Sequence, residues 1–166
     1  MVRSDMSLIA KLLPLANVVL DLDVSSKKRV FEHAGLLFEN NQNIARSQVF
    51  DSLFAREKLG STGLGQGIAI PHGRIKGLKD AVGALIRMRE RIAFDAPDGL
   101  PVNLIFVLLV PERATDLHLQ ILSELAQMFS DGAFREQLLL AASTDAMHRL
   151  VAEWLPHAPD QRSATV

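Results

Sequence analysis

Apolar positions along the chain alternate between helical and extended spacing. Residues 8–13 form a short apolar segment ended by Pro14, and residues 18–22 have the β-branched content of a strand. Ser25 or Ser26 can cap a helix reaching about residue 40, in which Val30, Ala34, Leu37 and Phe38 recur at helical spacing. Ser47 can cap a second helix, with Val49, Phe50, Leu53 and Phe54 on one side and Gly60 as its stop. Ile68-Ala69-Ile70 is a short strand candidate stopped by Pro71. Two longer strands are expected at residues 81–88 and 102–110. The second contains seven consecutive apolar residues, the pattern of a central strand covered on both faces. A helix over residues 116–129 carries Leu117, Ile121, Leu122, Leu125 and Phe129 on its core face. Two more are expected at residues 134–142 and 145–155, the latter capped from Ser143 or Thr144, with Trp154 packing at its edge. This interleaving predicts one α/β domain over residues 7–156, built on a mixed sheet of about five strands with helices on both faces. Residues 157–166 lose the pattern and read as a disordered C-terminal tail.

Composition narrows the function classes. The chain has 166 residues, close to the roughly 150 expected of one domain, and 48% of them are hydrophobic. There is no cysteine, which excludes disulfide scaffolds, thiol catalysis and cysteine-ligated zinc. Basic and acidic residues number 18 and 19, giving a net charge of -1. The nearest thing to a basic patch, residues 74–91, is interrupted by Asp80 and Glu90, so no nucleic-acid partner is expected. The longest apolar run, residues 104–110, is far short of the about 20 residues that span a bilayer, so neither membrane insertion nor an export signal is expected. The chain reads as cytoplasmic.

Candidate chemistry concentrates in residues 56–73. Six of the ten glycines fall between positions 60 and 77, so the backbone there must turn sharply or approach something closely. The spacing is not that of a nucleotide loop. Gly65 is followed by Gln66 rather than by the Lys-Ser/Thr of a P-loop, and Gly63, Gly65 and Gly67 lead into a strand rather than a dinucleotide-binding helix. His72 follows the short strand between Pro71 and Gly73, a position that presents it to solvent. A neutral imidazole there keeps one lone pair, free to attack phosphorus, bind a metal or move a proton.

Gly67-Ile68-Ala69-Ile70-Pro71-His72, within residues 56–72, resembles the nitrogen-related branch of the fructose/mannitol-type enzyme IIA family of the bacterial phosphoenolpyruvate-dependent phosphotransferase system. The resemblance runs from about residue 8 to 155. It includes Ile92-Ala93-Phe94-Asp95-Ala96, the Leu-Leu-Val-Pro ending at Pro111, and His118-Leu119 with Leu122 beyond. It implies the type-2 EIIA fold and a phosphoryl group accepted on Nε2 of His72. The donor would be an HPr-like phosphocarrier, NPr, itself charged by the enzyme I paralogue of the nitrogen branch. His118 matches the family's second active-site histidine, Arg56 its phosphoryl-binding arginine, and Ser61 and Thr62 its hydroxyl and backbone donors. No cofactor or metal is required. The output would be binding to regulatory targets, with potassium transport and sensor-kinase proteins among the family's themes.

Two alternatives stay open. One is a sugar-specific EIIA handing phosphate to a separate IIB chain; this chain has neither the IIB cysteine nor a IIC membrane span. The other is a non-catalytic binding module on the same fold. Residue by residue, Arg56 alone could be an ordinary ion-pair partner and His118 a capping-turn residue. His33, His148 and His157 match nothing in the family site. His72 and His118 with Glu112 or Asp116 would supply a two-histidine, one-carboxylate metal set, although their spacing is not diagnostic.

Overall fold

The computed structural model describes residues 7–113 and 115–156. The tail expected at 157–166, with His157, lies outside the described residues. Helix α1 (Leu8–Leu12) and a 3-10 turn (Leu15–Asn17) lead into β1 (Val18–Leu22). Helices α2 (Lys27–Gln42) and α3 (Arg46–Glu57) follow, then the short strands β2 (Gly63–Gly65), β3 (Ile68–Ala69) and β4 (His72–Ile75). The long strands β5 (Val82–Ile92) and β6 (Val102–Pro111) precede α4 (Thr115–Ser130), α5 (Gly132–Leu140) and α6 (Thr144–Glu153). The sheet is mixed and six-stranded, against an expected five or so. Two strands, β2 and β4, are not among the four named from sequence; β2 pairs antiparallel with β3, and β4 is separate because Pro71 breaks one extended stretch into β3 and β4, both parallel to β6 at successive registers.

β6 is the axis of the molecule. Leu104, Phe106, Leu108 and Val110 point into the core beneath α1, α4, α5 and α6, while Ile105, Val107 and Leu109 point into the core beneath α2 and α3. All seven are essentially inaccessible. Each such side chain contributes about 1.5–3 kcal/mol relative to exposure, so neither face of this strand can reach water without unfolding the domain. This double burial is what the uninterrupted apolar run encodes.

The caps fall close to expectation with one exception. Ser26 accepts from Arg29 N at 3.2 Å and Ser143 from Ala146 N at 3.0 Å, as N-caps do. Ser47 does not cap α3; it lies inside the helix, whose N-cap position is Ala45. The free amide of Arg46 is bonded instead by Oε2 of Glu39, at 3.0 Å, from the end of α2. Asn43, left-handed at φ 59°, turns the chain tightly enough to bring that carboxylate across. Arg87 is nearly buried, pairs with Asp21, and donates to the carbonyls of Leu138, Leu139 and Ala141 at the end of α5. No helix among the described residues is long and apolar enough to cross a membrane.

Candidate functional site

The site forms where α3 ends beside β4. Pro71 has no N–H to give, but its carbonyl accepts from Leu108 N at 2.9 Å, so pairing with β6 resumes and His72 opens β4. His72 is half-buried rather than presented to solvent as its place at a strand end implies, because α3 packs over the strand. The close approach depends on Gly73: a Cβ there would run into the Ser52 hydroxyl of α3. Nδ1 of His72 lies 2.9 Å from the carbonyl oxygen of Ile70. A carbonyl oxygen can only accept, so Nδ1 carries the proton and, in the neutral ring, Nε2 keeps its lone pair.

Around His72 is an open cleft of about 420 Å³ lined by Ser52, Arg56, Leu59, His72, Arg74 and His118, with Ala55 and Gly73 in its wall. The two imidazoles meet edge to face, with centroids 5.2 Å apart. Nε2 of His118 is buried and has no hydrogen-bond partner among the described residues. Buried polar atoms are usually bonded, so an orphan is a donor or acceptor held ready. Arg56 gives Nη1–H to the carbonyl of Gly60 at 2.8 Å, and Arg74 gives Nη1–H to the carbonyl of Glu112 at 2.9 Å. Among the described residues neither arginine has a carboxylate within ion-pair distance. The cleft therefore has two uncompensated cations beside two imidazoles.

The cleft favours the neutral form of both rings. Burial, more than any other cause, holds His72 below the ordinary 6.5; Arg56 and Arg74 add to the depression, and the bond to Ile70 and the charge of Glu57 oppose it. His118 is lowered first by burial, then by His72, Arg74 and Arg56. A neutral ring with a free nitrogen between cations is a nucleophile poised for an anionic electrophile.

The residues expected from sequence separate into two groups. His72, His118 and Arg56 converge on the cleft. Ser61 and Thr62 do not line it, and their hydroxyls are already spent. Ser61 Oγ donates to the Phe94 carbonyl at 2.6 Å and accepts from Gly63 N at 3.0 Å. Thr62 donates its amide, at 3.0 Å, and its hydroxyl, at 2.6 Å, to the carboxylate of Glu57. Glu57, buried at 8% exposure, also pairs with Lys27 at 2.9 Å. His148 bonds the carbonyl of Leu13 through Nε2, and Trp154 packs against the core cluster beneath α6. His72, His118, Glu112 and Asp116 do not form a metal set: among the described residues no three His, Asp or Glu side chains are grouped to hold an ion.

Sequence reading missed Arg74. Its only signal was position, two residues beyond His72 and so on the same side of a strand if β4 existed. A cavity of similar size, about 440 Å³, lies between the turn at Gly65-Gln66 and α4. Its one charged lining residue, Arg135, donates to the Phe129 carbonyl at 2.7 Å.

Residues 11–154 match the family model for the EIIA 2 component of the phosphoenolpyruvate-dependent sugar phosphotransferase system. The chain is 43% identical to a nitrogen regulatory protein of Pseudomonas aeruginosa over 129 residues, 77% of this chain and 84% of that one. It is 33% identical to the fructose-specific EIIA component of Haloferax volcanii over 150 residues, covering 90% and 97%. Among solved structures, the nitrogen regulatory protein IIA-Ntr of Neisseria meningitidis superposes with a TM-score of 0.83 at 57% identity, over 87% of this chain and 99% of that one.

Proposed function

From the premise that the chain belongs to the EIIA 2 family of the phosphoenolpyruvate-dependent sugar phosphotransferase system and groups with its nitrogen regulatory members, we propose that His72 accepts a phosphoryl group from a phosphohistidine on an HPr-like carrier. The output is then binding to regulatory target proteins according to the state of His72. The observation that carries this reading is the bond from His72 Nδ1 to the Ile70 carbonyl, which leaves Nε2 as the nucleophile.

In the transfer, the P–N bond on the carrier breaks as a P–N bond to Nε2 of His72 forms. The electron pair of the broken bond returns to the carrier's imidazole. The His72 ring gains positive charge, and the Ile70 carbonyl, already accepting from Nδ1–H, stabilises it. The transition state is loose, with charge spread over three phosphoryl oxygens, so catalysis lies in positioning and in electrostatic donors. Arg56 supplies a planar fork of N–H groups, and the His118 ring, edge to face with His72 at 5.2 Å, lines the cleft beside the incoming group. Ser61 and Thr62 act one step back, by shaping the loop that follows Arg56. Such a component works in the cytoplasm, where its carrier is charged.

The test is to combine the protein with phosphoenolpyruvate, enzyme I and carrier and to measure acid-labile phosphate. One equivalent is expected on wild type and none on His72→Ala, with the variant's melting temperature close to wild type because a half-buried ring leaves little cavity. Labelling of His72→Ala at wild-type stoichiometry would sink the assignment, and failure of the folded wild type to label would leave a binding module. A second reading, onward transfer to a IIB chain, is favoured by the match along nearly the whole length of the fructose-specific relative. Passage of label from His72 to a IIB cysteine would establish it.

A further inference from the structure

Two arginines line the cleft, Arg56 from the last turn of α3 and Arg74 from β4. They are built alike. Each has one N–H tied to a backbone carbonyl, that of Gly60 or Glu112, and no carboxylate partner among the described residues. A guanidinium has five N–H donors, so each keeps four. Strand alternation sets Arg74 about 6.5 Å beyond His72 on the same side of β4, within the span of its own side chain. The phosphoryl group brings roughly -1.5 to -2 charge and three acceptor oxygens, only partly offset by the imidazolium ring that carries it, and two guanidiniums offer those oxygens more donors than one.

We infer that Arg74 is a second phosphoryl-binding residue, whose particular work is to hold the phosphorylated state once it has formed. The inference rests on the proposed acceptor role of His72. Before transfer, the Arg74 cation faces a neutral ring and gains nothing from it. After transfer, it faces a dianion on Nε2. The interaction is therefore made in one state and absent in the other, the condition for shifting an equilibrium. Arg74 thus sets how phosphate divides between carrier and this protein, and how long the modified form lasts. The anchor at Glu112 ties this clamp to the loop entering α4, the helix that carries His118.

The experiment compares wild type with Arg74→Ala, Arg74→Gln and Arg74→Lys. Each is charged from phosphoenolpyruvate through enzyme I and carrier. Two quantities are read: the equilibrium ratio of phosphoprotein to phosphocarrier, and the half-life of the isolated phosphoprotein. Loss of one charged donor at an exposed position should fall at or below the lower end of the hundred- to thousandfold seen for enclosed donors, so about a tenfold shift toward the carrier is expected for Arg74→Ala. Arg74→Lys should recover part of it by charge. Arg74→Gln keeps a donor for the Glu112 carbonyl but no charge, and should behave like Arg74→Ala. If Arg74→Gln matches wild type, the residue is a strut and the inference fails; if Arg74→Ala does, it fails outright. Failure of wild type itself to label would instead bring down the acceptor role of His72, a separate and recognisable result.

Discussion

Two polar clusters meet at the C-terminal end of α3, and they differ in what they leave unbonded. In the first, the buried Glu57 carboxylate accepts from Lys27 and from both the amide and the hydroxyl of Thr62, while the Ser61 hydroxyl bridges Phe94 and Gly63. Lys27 also lies 4.7 Å from the centre of the Phe94 ring. Every donor and acceptor named there is used. In the second, one turn away, Arg56 and Arg74 have no counter-charge and His118 Nε2 has no partner among the described residues. Adjacent residues, Arg56 and Glu57, belong to opposite clusters. A closed network serves the fold, because breaking it strands a buried charge; an open one serves chemistry, because its capacity is kept for a group that arrives. The contrast predicts that substitutions on one side damage stability and on the other damage transfer.

The largest separation is expected at Arg56. Arg56→Ala should slow labelling of His72 by about a hundred- to a thousandfold, near 2.7–4 kcal/mol, while the melting temperature moves little. Quenched-flow labelling from the phosphorylated carrier, beside a thermal melt, checks it. An equal loss of stability would merge the two clusters. Next door, Glu57→Gln should cost about 3 kcal/mol of stability, at the low end for a broken buried pair because Asp95 also lies near Lys27. Urea titration measures this, and the folded variant should still accept phosphate on His72.

A smaller effect concerns pH. His72 and His118 are both held below 6.5 in the folded protein, so the unfolded chain binds more protons as pH falls. Their contribution to stability is therefore present above about 6.5 and is lost as pH drops through the lowered folded values. For the same reason, labelling should decline on the acid side with a midpoint below 6.5. A midpoint at or above 6.5, in a rate profile or an NMR titration of the rings, would contradict the cleft's electrostatics. Smallest of all, Ser61→Ala should cost about 1 kcal/mol through the Phe94 carbonyl bond, with labelling near wild type. A hundredfold loss of labelling there would return Ser61 to the open cluster.

Local chemistry determined a great deal of this protein from sequence. β1 was legible because β-branched residues fit a pleated surface, and β6 because a strand buried on both faces must be apolar at every position. α2 and α6 carry their own cap signals in Ser26 and Ser143. His72 was legible as a candidate site because the proline before it fixes the backbone and the glycine after it frees it. Other features were decided by tertiary structure. The cap of α3 comes from Glu39 rather than Ser47, since a carboxylate from the neighbouring helix reaches the amide first. Ser61 and Thr62 carry the hydroxyls a phosphate site wants, yet Phe94, more than thirty residues away, and the Glu57 carboxylate take them. Arg74 becomes part of the cleft only once β4 pairs with β6 and sets its side chain beside His72. Propensity and burial pattern are properties of a segment and can be read along the chain. Which polar group ends up bonded to which depends on what the fold brings within 3 Å, and residues far apart in sequence compete for the same partner.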